Sequence, residues 1–371
     1  MEKNNLYLEG GKIYGKGSYG YVIDINNIYN IPNDKEILVD KLSNYLKKNI
    51  NVKIKGYNIN DGKPILLDGN QVLMILKTTK NLLAKTYFVN KPFLDELNET
   101  VLVYKIFNEN LNNLVLKNPT DNMSEQMSNI IYYNNYFVNN KNKISSTIIP
   151  LKINNDEIIA ITFDDNYYLF TEKCDKVLKN FKIGYKISNQ DNSFPLVKLI
   201  DDIINVIAYL QLNKIAHGDI HSGNIILCEN KFKLIDWGMA VNTDKYNPNL
   251  TYRLSTHSSS PAILLLSESK KNNIYNFIFK FFKPKINSEA RSLDPQVLNF
   301  LLKNPDFLVR YHLDMYTFAL TLTQIDLDNL YSKDIKFKKL VNYIKNIKDF
   351  SYRIDYINKL ASETDLYLIQ I

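Results

Sequence analysis

The sequence predicts a mixed α+β chain, with strand signals near its start, a strong helix in its middle and a strand hairpin just after it. Three observations predict it. Residues 11–25, GKIYGKGSYGYVIDI, read as strand, glycine turn, strand, with apolar and polar residues alternating after Gly20. Residues 194–212 place Leu196, Leu199, Ile200, Ile203, Ile204, Ile207 and Leu210 at the spacing of an amphipathic helix. A short hairpin over 216–240 then sets Asp219, Asn224 and Asp236 at strand ends, where rigid scaffolds present working groups.

Composition bounds the rest. With 371 residues, 45% of them hydrophobic, the chain can bury one large two-lobed core or two ordinary ones. The net charge of +7 comes from scattered lysines, so no nucleic-acid partner is expected. No stretch is long and apolar enough to span a bilayer, and the start lacks an apolar signal core. A cytoplasmic protein is expected, in the host cytoplasm or the virion if the source is viral. Cys174 and Cys228 lie far apart without ligand spacing, so both are expected to be reduced and structural. Asn, Lys, Ile and Tyr are abundant, the usage of an AT-rich genome such as that of a large DNA virus or an AT-rich bacterium. Of the 12 glycines, Gly15, Gly17, Gly20, Gly218, Gly223 and Gly238 fall in motifs, where backbone freedom or close approach is needed.

The run AHGDIHSGNIIL at 216–227, followed by KLIDWGMA at 233–240, carries the chemistry. A carboxylate that orients an attacking hydroxyl, with an amide and a second carboxylate that hold magnesium against phosphates, is what phosphoryl transfer from a nucleotide requires. The segment resembles the catalytic loop and metal-binding turn of the protein-kinase-like superfamily. The resemblance implies a bilobal fold, with an antiparallel-sheet N-lobe over 1–172 and a mainly helical C-lobe over 173–371, binding ATP and Mg2+. It gives Asp219 the role of base and puts Asn224 and Asp236 on the metal. His312–Phe318 resembles the central C-lobe helix, whose aspartate, here Asp314, caps the catalytic-loop backbone. That helix points to a divergent eukaryotic-type Ser/Thr protein kinase acting on a protein substrate.

The elements follow in order under the same resemblance. Gly15, Lys16, Gly17, Ser18, Tyr19 and Gly20 form the flap over the nucleotide phosphates, with Val22 as the apolar lid on adenine. A dinucleotide-binding GxGxxG would open a helix instead. Residues 26–70 read as an insertion with a helix at Val39–Leu46. The run QVLMIL at 71–76 reads as the third strand and delivers Lys77 to the α- and β-phosphates, ahead of Lys41. Residues 91–107 follow a helix period, and Glu99 is the partner of that lysine, with Glu96 one turn earlier on nearly the same face. Residues 108–147 read as a long loop or partly ordered insertion. Strands at Glu157–Phe163 and Tyr167–Thr171 lead into a hinge at Glu172–Cys174 that meets the adenine edge, with Thr171 as gatekeeper.

Departures from the family's pattern matter for substrate class. Gly218 removes the arginine that binds a phosphorylated activation segment. His221 stands where Ser/Thr kinases carry lysine, and HGDxHxxN is similar to loops of aminoglycoside- and choline-type small-molecule kinases. Ala262, or alternatively Gln296, occupies the place of the activation segment's glutamate. Residues 274–285 form a basic aromatic run read as a helix on the C-lobe, and further helices are expected near 340–347 and 354–360. Beside protein kinase, two other readings remain: small-molecule phosphotransferase and nucleotide-binding pseudokinase acting as an interaction module.

Overall fold

The alternation after Gly20 becomes a strand whose Ile23 enters the core, followed there by Ile25 just past its end, while Val22 stays half-buried on the other face. In this computed structural model, residues 13–17, 20–25, 37–108, 125–174, 176–186, 193–242, 253–254, 291–292, 312–347 and 352–371 are described. The chain divides into two units, 1–105 with 147–174, and 106–146 with 175–371.

The first unit is built on an antiparallel sheet. Its strands are β1 Ile13–Gly17, β2 Gly20–Asp24, β3 Lys53–Asn58, β4 Pro64–Asp68, β5 Leu82–Tyr87, β6 Leu151–Ile153, β7 Asp156–Phe163 and β8 Asn166–Glu172. They lie in the order β1-β2-β5-β8-β7-β3-β4, with β6 on β7. Gly17 pairs with Gly20, so β1 and β2 close a hairpin over the two residues between them.

Of the stretch 26–70, the described residues 37–70 contribute structure to this sheet rather than looping away from it. The hairpin β3–β4 extends the edge beyond β7, and α1 Leu38–Lys48 packs one sheet face together with α2 Gly69–Thr78. Leu38, Leu42, Val72 and Leu76 are fully buried against Ile23, Ala84 and Phe170. Each such side chain contributes roughly 1.5–3 kcal/mol. The expected strand at 71–76 is thus a helix. The Asp68 carboxylate caps it, accepting from Asn70 N at 2.9 Å and Gln71 N at 3.0 Å. Val72 and Leu76, four apart, then fall on one buried face.

Helix α3 Asn90–Asn108 follows β5 directly and ends in the second unit. That unit contains α4 Glu125–Asn139, α5 Leu196–Leu212, α6 His312–Gln324, α7 Leu330–Lys333, α8 Ile335–Lys345 and α9 Ile354–Ser362. Helix α5 is its axis: Leu199, Ile200, Ile203, Ile204, Ile207 and Leu210 are all fully buried. Where a loop was expected, α4 packs beside α5, with Phe137 edge-on to Tyr209 at 5.2 Å. Tyr133 donates to the Tyr352 carbonyl, and Tyr352 donates to Gln211 Oε1 at 2.9 Å.

Short strands complete the second unit: β9 Lys176–Val177, β10 Phe181–Tyr185, β11 Ser193–Pro195, β12 Ile215–Ala216, β13 Ile225–Cys228, β14 Lys231–Leu234, β15 Val241–Asn242, β16 Arg253–Leu254, β17 Arg291–Ser292 and β18 Leu366–Gln370. They form the sheets β14-β13-β9 and β10-β18-β11 and the pairs β12-β15 and β16-β17. Ala262, Gln296 and the run 274–285 lie outside the described residues. Among the described residues no helix is long and apolar enough to cross a membrane.

Removing the cap of α2 isolates its contribution. Asp68→Ala should lower the free energy of unfolding by about 1 kcal/mol. Urea titration checks this as a shifted midpoint at unchanged slope.

Candidate functional site

Register assembles the site residues of the first unit. In the antiparallel ladder Val22 lies opposite Lys85, Gly20 opposite Tyr87, and Lys85 opposite Leu169. Directly opposed residues share a sheet face, so Val22, Lys85, Tyr87, Leu169 and Thr171 all project from the face away from α1 and α2. Lys85 Nζ donates to both oxygens of Glu96 on α3, at 2.9 and 2.8 Å. Glu96 is 7% exposed, so this is a largely buried ion pair.

Lys77 does not take that place. It sits in the last turn of α2, on a helix rather than a sheet strand. Lys41 is on α1 and donates to the Tyr21 hydroxyl at 2.8 Å. Glu99 is likewise displaced from the pairing role by Glu96, because the helix phase that α3 adopts brings Glu96 to Lys85. Burial, reinforced by repulsion from Asp95, pushes the Glu99 carboxyl up to about 7. The signal for Lys85 was the run LLAKTY, bounded by Asn81 and the start of a helix, the strand-then-helix order that QVLMIL lacks.

Of the glycine hairpin, Gly15, Lys16 and Gly17 lie in β1 and Gly20 opens β2, while Ser18 and Tyr19 fall outside the described residues. At the strand end that follows Thr171, Glu172 N donates to Thr147 O and Lys173 N to Asn81 O. Lys173 also pairs with the buried Asp24 at 2.9 Å. Cys174 and Cys228 are both disulfide-bonded, which corrects the expectation of reduced thiols.

In the second unit the loop after β12 is gripped from beneath. Asp314, fully buried on α6, accepts from His217 N at 2.7 Å and Gly218 N at 3.0 Å. Burial pushes its carboxyl above the usual range, opposed by His217 and by these two N–H donors. The His217 ring accepts from Asp219 N at 3.3 Å through Nδ1 and donates from Nε2 to Ile235 O at 3.0 Å. Gly218 has φ of +78°, a left-handed conformation that an arginine would adopt only with strain.

Asn224 closes the loop onto Asp219. Its Nδ2 donates to Asp219 Oδ2 at 3.1 Å and to Asp219 O at 3.0 Å. Its carbonyl accepts from Ile235 N at 3.0 Å, which ties the loop to the strand end that carries Asp236. Asp236 has φ of +66°, a region that Asp tolerates better than most residues. His221 accepts from Gly223 N through Nδ1 at 3.0 Å and presents Nε2 to Asp219 Oδ2 at 3.7 Å. A Cβ on Gly223 would come within 2.7 Å of the His221 ring, so glycine keeps that ring in place.

Chemically, the loop offers a carboxylate oriented by an amide, with a second carboxylate one residue beyond Ile235. Hard oxygen donors of this kind suit magnesium. Compared with protein-family models and with curated proteins, the chain matches none.

The raised Glu99 carboxyl makes a pH prediction. Its folded-state value lies above its ordinary 4.5, so the associated stability is full below about 4.5 and lost as pH rises through about 7. Relative to Glu99→Gln, the wild type should lose on the order of 3 kcal/mol across that window. Urea unfolding of both proteins between about pH 4 and about pH 8 measures it, and a constant difference would contradict the assignment.

Proposed function

We propose that the chain is an ATP-dependent phosphotransferase of the protein-kinase-like kind, passing the γ-phosphoryl group of ATP to a protein hydroxyl. The observation that carries the reading is the Asp219–Asn224 pair on a loop whose backbone is held by the buried Asp314. Asp219 would accept the proton of the attacking hydroxyl. Asn224 and Asp236 would hold Mg2+, which supplies neutralisation of phosphate charge when bound. Lys85, kept in register by Glu96, takes the phosphate-binding role first given to Lys77, and Val22 shares its sheet face as the lid on adenine. Catalytic groups of this kind are each worth roughly 10²–10⁴ in rate, so their joint retention favours an enzyme over a binding module.

A second reading, transfer to a small-molecule hydroxyl, is favoured by two features. Gly218 leaves no arginine to receive an activating phosphate, and His221 rather than a lysine faces Asp219.

Radiolabelled ATP offered with generic protein substrates and small amino alcohols separates the two. Label on protein supports the proposal, and label on the amino alcohols selects the second reading. Asp219→Ala should lower transfer roughly 10²–10⁴-fold. Lys85→Ala should cut it at least tenfold, roughly the loss of one charge-assisted contact, while Lys77→Ala leaves it unchanged. Transfer that survives Asp219→Ala would overturn the assignment.

A further inference from the structure

Glu96 has a second partner besides Lys85. Two residues beyond Lys85 on the same face of β5, Tyr87 donates its hydroxyl to Glu96 Oε2. Tyr87 is 2% exposed, and its ring lies 5.5 Å from Lys85 Nζ. The ring is also wedged edge-on against Phe93 of α3 at 5.8 Å, three residues before Glu96. A buried phenol needs an acceptor, and a buried carboxylate with one flexible ammonium partner is free to swivel about it.

We propose that Tyr87 is a positioning residue that clamps Glu96, and with it α3, against β5, so that Lys85 stands ready for a nucleotide phosphate before any ligand arrives. The clamp rests on the phosphotransferase reading for its ligand, but its mechanical half does not. The strand supplies both the lysine and the hydroxyl, so α3 is tied to β5 at two points of one carboxylate. Outward displacement of α3 must break a charge-assisted hydrogen bond in a buried setting as well as the ion pair. The site is therefore assembled in the resting protein and does not wait for a separate step to bring Glu96 in.

The test uses the full chain and two variants. Tyr87→Phe removes the hydroxyl without leaving a buried donor orphaned. Tyr57→Phe is the control, since Tyr57 also packs on Phe93, at 5.2 Å, but hydrogen-bonds Thr162. Without nucleotide, Tyr87→Phe should speed amide exchange in α3 about tenfold, and Tyr57→Phe should not, as the loss of one charge-assisted bond predicts. With Mg·ADP in calorimetry, Tyr87→Phe should weaken binding about tenfold, again the worth of that bond. Unchanged α3 exchange in Tyr87→Phe, or an equal rise in Tyr57→Phe, overturns the clamp. Failure of the wild type to bind Mg·ADP overturns the phosphotransferase reading and the ligand half of the proposal, while the exchange data still decide the mechanical half.

Discussion

One buried carboxylate fixes the shape of the second unit's loop. Asp314 has no exposure to solvent, and an isolated charge there would cost several kcal/mol. The N–H groups of His217 and Gly218 compensate it, and in doing so they set the direction in which the chain leaves β12. The His217 imidazole then serves two masters: one nitrogen receives the Asp219 N–H and the other donates to Ile235 O. Asp219 and the strand end that leads to Asp236 are thereby referenced to a single ring. Asn224 adds the third tie through its own side chain and carbonyl.

In the first unit the equivalent constraint is strand register. A slip of one residue between β2 and β5 would send Val22 and Lys85 to opposite faces, so the hairpin and the lysine share a face only in the observed pairing. That pairing is enforced from behind. Ile23, Ala84 and Phe170 point into the layer made by α1 and α2, and those helices come from the stretch between the hairpin and Lys85. The long separation of Gly20 from Lys85 is thus the cost of a helical layer that locks the register which presents Lys85.

What could be read from the sequence follows from how local each signal is. Asp219, Asn224 and Asp236 lie within one hairpin, so their grouping survives any error in tertiary reasoning. The hairpin at 13–24, α3 and α5 were legible from periodicity for the same reason. Lys85 was missed because short apolar runs do not distinguish strand from helix without their boundaries, and Asp68 as the cap of α2 decides the case for QVLMIL. Glu96 and Glu99 are three residues apart on one helix face. The rotation that brings Glu96 to β5 goes with long-range packing, Phe93 among Tyr57, Tyr87 and Tyr167, which the local sequence does not display. Helix α4 hid in an Asn-rich stretch whose partners, Tyr209 and Tyr352, lie more than seventy residues away, and β18 needed β10 and β11 to become a strand.

Gly218, His221 and Gly223 form one geometric arrangement. A left-handed φ at position 218 favours glycine, and the missing Cβ at Gly223 leaves room for the His221 ring, whose Nδ1 then binds Gly223 N and whose Nε2 meets Asp219. Nearby, Asp236 also holds a left-handed φ, and Trp237, 3% exposed and 4.8 Å from the His217 ring, keeps its indole N–H without an acceptor among the described residues. An unsatisfied buried donor costs roughly 1–3 kcal/mol. Such costs persist where the surrounding structure over-determines them, and they cluster at sites that work. On the proposed reading, the amide, carboxylate and imidazole held at these distances are what the two unfavourable local features serve. The expense is intelligible if the loop must present Asp219 to a reacting hydroxyl in one orientation only.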